Sequence, residues 1–151
     1  MKITKETDYA FRIVMFLSIH QNDGKRYNGD QLVEINEIPK NLGKRILTRL
    51  VEGKIIESKK GIGGGFTLNK DRKDITLLDV MNVIEVMDFK DCVANVESCT
   101  FKQGKCAIHS AMVKIKKVLF DEFAAVNFED LVKSEEKICK ALKRKEKKEE
   151  K

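Results

Sequence analysis

Three cysteines and a histidine fall within 18 residues, as Cys92-x6-Cys99-x6-Cys106-x2-His109. Soft thiolates select zinc, copper(I) or iron–sulfur clusters. Structural zinc usually takes its ligands in short pairs two to four residues apart, followed by a second pair. Two six-residue gaps suit that pattern loosely, whereas they let a loop wrap a larger cluster. An iron–sulfur cluster is therefore the leading reading, zinc the next, and thiol redox switching without metal the third. Cys106 and His109 stand three apart at the start of a long helical pattern, so both can project from one side of its first turn. His109 taken alone fits an ordinary helix N-terminus equally well. Cys139 lies far off in a helical stretch and reads as a packing cysteine, and His20, at a helix end, reads as structural.

A second chemistry is carried by charge. The chain holds 30 Lys+Arg against 24 Asp+Glu in 151 residues. Residues 40–60 alone bring seven bases (Lys40, Lys44, Arg45, Arg49, Lys54, Lys59, Lys60) against Glu52 and Glu57. So concentrated a basic segment suits phosphate binding, where a scattered excess would only help solubility. Within it, Asn41 suits adenine edges and Arg45 guanine edges in a major groove. Lys40 and Lys44 suit phosphates, which set position, and Arg49 is a further DNA-binding candidate on the same outward face. The glycine run Gly61, Gly63, Gly64, Gly65 leads into an alternating strand pattern, not a helix, and lacks GxxxxGK[ST] or GxGxxG spacing. It predicts a flexible basic tip, with Lys59, Lys60, Gly61, Gly63 and Gly64 against a nucleic-acid backbone or groove, and argues against a nucleotide loop. No CxxC pair and no recognisable Ser/His/Asp or paired-carboxylate frame is present, which disfavours an enzyme.

These groups need elements to position them. Apolar spacing predicts a helix over Thr7–His20 and a short one over Asp30–Glu37, ended by the bias of the residue before Pro39. A third helix follows over Pro39–Gly53, with Leu42, Ile46, Leu47 and Leu50 inward. Lys54–Ser58 and Phe66–Asn69 read as a hairpin. Three helices followed by a basic hairpin form a winged helix-turn-helix, whose third helix enters a major groove while the hairpin takes the backbone or minor groove. A fourth helix is expected from about Leu77 to Val86, then a cysteine-rich loop over 88–107. Ile108, Ala111, Met112, Ile115, Val118, Leu119 and Phe123 mark a long amphipathic helix over about 107–125. Its stripe exceeds what one small head needs, so burial against a second copy is expected, in a twofold dimer matching a palindromic operator on double-stranded DNA. Residues 127–133 read as a short capping helix, and 134–151 as a frayed charged tail. The expected division is 1–87 head, 88–107 cysteine loop, 107–133 dimerisation and capping helices, 134–151 tail. No apolar run nears the ~18 residues of a membrane span. The charged start MKITKETDYAF does not resemble a signal peptide, so a reducing cytoplasm is expected.

Taken together, TDYAFR, IPKNLGKRILTRLVEGKIIESKKGIGGGFTL, ITLLDVMNVIE, the triple cysteine and NFEDLV resemble the IscR/NsrR-type family of winged-helix transcription regulators over about residues 1–133. The resemblance implies a mainly α fold with a small β-hairpin wing, and a homodimer that binds a pseudo-palindromic operator and usually represses. It implies a [2Fe–2S] or [4Fe–4S] cluster, the former preferred, on Cys92, Cys99 and Cys106. His109 sits where one branch has its histidine ligand, and Asp8 where the nitric-oxide-sensing branch uses a carboxylate of the partner subunit. Two features depart from the family pattern: its commonest cysteine gaps are five residues, and its members often carry a polar residue where this chain has Gly43. A glycine there costs ~1 kcal/mol of helix propensity relative to alanine.

Overall fold

The computed structural model describes residues 3–85, 93, 95, 97, 99 and 105–149, with side chains as far as 143. Cys92 and most of the expected cysteine loop lie outside the described residues. Helix α1 spans Lys5–Ile19, with the Thr4 side chain capping it by accepting from the Thr7 amide. Helix α2, Gly29–Ile35, opens on a reciprocal cap: Asn28 and Gln31 each accept from the other's amide, at 2.8 and 2.9 Å. Helix α3 is Lys40–Glu52, with Pro39 as its N-cap residue.

Helices α2 and α3 end alike, and α3 stops at Gly53 as expected. After Asn36, Glu37 takes a left-handed φ of 54°, and the Ile38 amide bonds back to the Val33 carbonyl at 2.9 Å. After Gly53, Lys54 takes φ 57°, and the Ile55 amide reaches the Leu50 carbonyl at 3.0 Å. Both are Schellman closures with a charged residue at the position usually held by glycine, each driving the next isoleucine into the core. Helix α2 accordingly stops two residues before the predicted Glu37. Gly53 has φ −75° and needs no left-handed freedom. It is small because a Cβ would lie 2.3 Å from a Val83 methyl. Gly43 serves the same end, since its Cβ would lie 2.3 Å from a methyl of Val33 on α2.

Strands β1 (Ile56–Lys59) and β2 (Gly65–Leu68) pair antiparallel, from Ile56 opposite Leu68 to Lys59 opposite Gly65. Tyr27 adds a one-residue third strand, exchanging both backbone hydrogen bonds with Phe66 at 2.8 and 3.2 Å. Helix α4, Leu77–Ile84, begins with a Thr76–Asp79 capping box. Helix α5 runs Ala107–Ala125 and helix α6 Phe128–Glu149.

The core gathers Ala10, Ile13 and Val14 of α1, Leu32 of α2, Ile46 and Leu50 of α3, and Val80 of α4. Phe128, from the start of α6, is wholly buried among them. A backbone bridge brings it there: the Leu77 amide donates to the Val126 carbonyl, and the Phe128 amide to the Ile75 carbonyl, both at 3.0 Å. The head is therefore closed by a segment that a division at residue 87 leaves out. The expected short helix over 127–133 is longer in the structure, where one helix continues to Glu149. A docked first turn removes the nucleation cost, and the Lys/Glu/Ala/Leu-rich end propagates the helix. The result is a winged helix-turn-helix followed by two long helices.

Candidate DNA interface and cysteine site

The exposed face of α3 is set by helical period: burying Ile46, Leu47 and Leu50 turns Lys40, Asn41, Lys44, Arg45 and Thr48 outward. Lys40, Lys44 and Thr48 line one wall of a groove of about 640 Å³, floored by Leu47 and closed by Ser58 and Phe66 of the wing. Thr48, not among the sequence candidates, donates its hydroxyl to the Lys44 carbonyl at 3.0 Å. Its outward position was readable from the same period, but its hydroxyl carried no charge signal.

The cations divide into two groups. Lys40, Lys44, Lys59 and Lys60 are exposed and make no ion pair among the described residues. Arg45 instead pairs with Glu6 of α1. Arg49 lies 3.5 Å from the same carboxylate and donates to the Ile84 carbonyl at 2.6 Å. Arg49 thus braces α3 against α1 and the end of α4. Glu6 was missed because it stands 39 residues from Arg45 with no local pattern to link them.

At the base of the wing, Arg26 pairs with Glu57 and also donates to the Gly65 carbonyl. Gly65 (φ 138°) is required there, because a Cβ would sit 2.7 Å from the Tyr27 carbonyl oxygen. His20 gains a partner that the sequence did not reveal: its Nδ1 is 2.6 Å from Asp23, and its ring packs on Phe16. That hydrogen bond holds the Asp23 carboxyl below its ordinary range. Burial raises the Tyr27 hydroxyl above its own.

Cys106 is the N-cap residue of α5, and its Sγ accepts from the His109 amide at 3.3 Å. Both residues are half-buried. The Nδ1 of His109 is buried and has no hydrogen-bond partner among the described residues. An orphaned nitrogen of this kind costs roughly 1–3 kcal/mol unless it meets a partner. Cys99 is half-buried too. Among the described residues no three His, Cys, Asp or Glu side chains converge, and Cys92, the first of the expected ligands, is outside them. Asp8 sits half-exposed on α1, paired with Arg12 at 2.8 Å. Cys139 is exposed on α6, 3.9 Å from Glu135. The packing role expected of it is corrected: Val132 is the last buried residue of α6 among those described, and Cys139 is exposed.

Immediately before the cysteine stretch, Glu85 accepts from the Thr7 hydroxyl and, at 3.3 Å, from the Thr4 amide. Burial works to raise the Glu85 carboxyl, but these hydrogen bonds outweigh it and leave it below its ordinary value. The last described turn before the cysteines is thus tied to α1 through Glu85 and to α3 through the Ile84 carbonyl.

Comparison with known proteins follows this geometry. The family described as "Rrf2: Iron-dependent Transcriptional regulator" matches residues 3–134. The chain is similar to the HTH-type transcriptional regulator NsrR of Bacillus subtilis (strain 168), 32% identical over 153 residues covering 97% of this chain and 100% of the relative. T. potens IscR shares the fold with a TM-score of 0.73 at 18% identity, over 91% of this chain and 90% of that one. CymR (YrzC), described as the global cysteine regulator of B. subtilis, does so with a TM-score of 0.67 at 16% identity, over 89% and 98%.

Proposed function

This chain belongs to the Rrf2 family of transcriptional regulators, and from that premise we propose that it is a cytoplasmic, homodimeric repressor whose operator affinity is set by an iron–sulfur cluster. The DNA reading rests on the four unpaired lysines. Lys40 and Lys44 on α3 line the groove, Lys59 and Lys60 are exposed on the wing, and all four suit phosphates on a duplex. Asn41 and Arg45 are the base-edge readers, and Gly61, Gly63 and Gly64 let the wing approach the backbone. Arg45 must exchange Glu6 for DNA, so Glu6 tempers its availability. Arg49, expected at the DNA, braces α3 instead.

The single observation that carries the cluster reading is the Cys106–His109 pair: a sulfur and an orphaned buried nitrogen on one turn. Donors of that softness fit an iron–sulfur centre, with Cys92 and Cys99 completing the thiolates by spacing. The fourth ligand is His109, which the unpartnered Nδ1 favours, or Asp8 of the partner subunit. A bound [2Fe–2S] or [4Fe–4S] cluster would supply an iron centre reactive toward redox and nitric-oxide signals. The chain's own residues supply the route to DNA. A shift in the stretch after Glu85 pulls on Thr4, Thr7 and the Arg49 brace, and so on the set of α3.

The test uses full-length protein purified without oxygen. Iron and acid-labile sulfide in stoichiometric amounts, with visible absorption, support the cluster. Colourless protein carrying one zinc favours a structural metal, and metal-free protein with thiol-dependent DNA affinity favours a redox switch. Operator affinity should fall with salt, log K changing by about −0.9 per phosphate neutralised. A flat salt response would remove the DNA reading.

A further inference from the structure

The sequence predicts a flexible wing tip, yet the structure gives that tip a defined shape with one apolar residue at its apex. Beyond the last rung of the hairpin, Lys59 opposite Gly65, the chain turns through Lys60–Gly64. The Gly64 amide closes the turn on the Gly61 carbonyl at 2.9 Å. Gly61 and Gly63 take φ of 93° and 73°, and a Cβ at either would meet nothing within 4 Å. Conformation, not crowding, demands glycine at both. Between them Ile62 is wholly exposed, the most exposed of the chain's large apolar side chains among the described residues. Lys59 and Lys60 shortly precede it, both exposed.

We propose that Ile62 is a minor-groove specificity residue, seated between the sugar walls of the duplex and selecting A·T over G·C pairs beneath the wing. This rests on the DNA-binding reading above and adds a base preference to it. The minor groove is about 6 Å wide, enough for a branched aliphatic side chain on a narrow glycine-flanked turn, and its walls are the apolar faces of deoxyribose. A·T-rich grooves are narrower and more negative, which draws in Lys59 and Lys60 just before Ile62. At a G·C pair the 2-amino group of guanine stands on the groove floor. An aliphatic side chain placed over it would bury that donor with no acceptor, a cost absent from A·T. The discrimination therefore comes from what Ile62 cannot satisfy.

The experiment uses the full-length protein and duplexes it selects from a randomised pool, measured by fluorescence anisotropy. Each selected pair is replaced in turn by G·C and by inosine·C, which keeps the G·C pattern in the major groove but lacks the 2-amino group. At one or two pairs per half-site, G·C should weaken binding about tenfold and inosine·C should restore it. This size matches the lower end of the penalty for one buried, unpaired donor. Ile62→Ala and Ile62→Ser should reduce that penalty to below about twofold while leaving the salt dependence unchanged, because no charge is altered. The proposal is overturned if the penalty survives in both variants or if inosine·C binds as weakly as G·C. It is also overturned if the variants lose dimer mass instead of base preference, since Ile62 would then be a protein contact. A wild-type chain that retains no duplex at low salt overturns this proposal and the DNA reading together. A chain that binds with no A·T preference overturns this one alone.

Discussion

Helix α3 buries Ile46, Leu47 and Leu50 against the rest of the head and shows lysines to solvent. Helix α5 is longer, yet no residue along it is buried, and Ile108, Ile115 and Val118 are 67, 53 and 62% exposed. Both sequences have amphipathic spacing, so local propensity does not separate them. What differs is whether the rest of the chain meets the apolar stripe. Helices α1, α2 and α4 cover α3, whereas α5 keeps an uncovered apolar face. The head, closed by Phe128, buries its own apolar stripes, and α5 is the part that the proposed twofold dimer would cover.

The sharpest way to break that contrast is to put charge on α5. Ile115→Glu with Val118→Glu should convert a dimer to a monomer by light scattering, while circular dichroism shows the head still folded. DNA affinity should fall about 100-fold or more, because two half-sites would no longer be bound by one particle. A dimeric mass in the double variant would show that α5 is not the interface.

The head should answer to crowding instead. Gly43→Ala gains about 1 kcal/mol of helix propensity. It also places a methyl 2.3 Å from Val33, and overpacking of this kind costs about 1–3 kcal/mol. Crowding wins, and we expect a net loss of about 1 kcal/mol by urea unfolding. With Val33→Ala in place, the same substitution should become neutral or stabilising, an interaction that a double-mutant cycle reads directly. If Gly43→Ala stabilises the parent chain, α2 and α3 do not approach as closely as described.

The junction between the two regions is probed at Cys106. Cys106→Ala removes the acceptor for the His109 amide and should cost about 1 kcal/mol, as lost N-caps do. Cys106→Ser keeps an acceptor and should recover most of that loss, yet neither variant retains a soft thiolate. Bound iron should therefore drop in both while stability drops in one. Equal instability in the two would mean that the sulfur is not acting as a cap.

Much of this architecture was legible because helical period and buried stripe coincide in α1, α3 and α4. The fold class and the outward lysines follow from that coincidence. What escaped depends on contacts distant in sequence or on backbone states that residue types hide. Glu37 and Lys54 adopt left-handed conformations that charged residues rarely announce. Tyr27 joins the hairpin because the Gly65 backbone leaves room for it. Phe128 reads as part of a capping helix until the bridge from Ile75 carries it into the head's core. Glu6 takes hold of Arg45 and Arg49 across the fold, so the two arginines are engaged where composition alone would offer them to DNA. On the cysteine side, spacing named the donor types, but Cys92 lies outside the described residues.

The smallest effect should come from the clamp that fastens α6 to the head. Arg72 pairs with Glu129 and also donates to the Ser18 carbonyl at 2.9 Å, while Lys133 adds a second cation 3.2 Å from Glu129. The hydrogen bond from Arg72, then that from Lys133, holds the Glu129 carboxyl below its ordinary value of 4.5. A carboxylate depressed in the folded state contributes stability that is fully present above its unfolded pKa and is lost as pH falls through the folded one. Wild type should therefore melt slightly higher than Glu129→Gln at neutral pH, and the gap should close as the pH is lowered below about 4.5. The pair is solvent-accessible, so added salt should narrow the gap as well. A gap that persists in acid would mean Glu129 acts through packing and not charge. The docking of α6 would then belong to the core that holds Phe128, and the boundary between the head and the C-terminal half would move past Glu129.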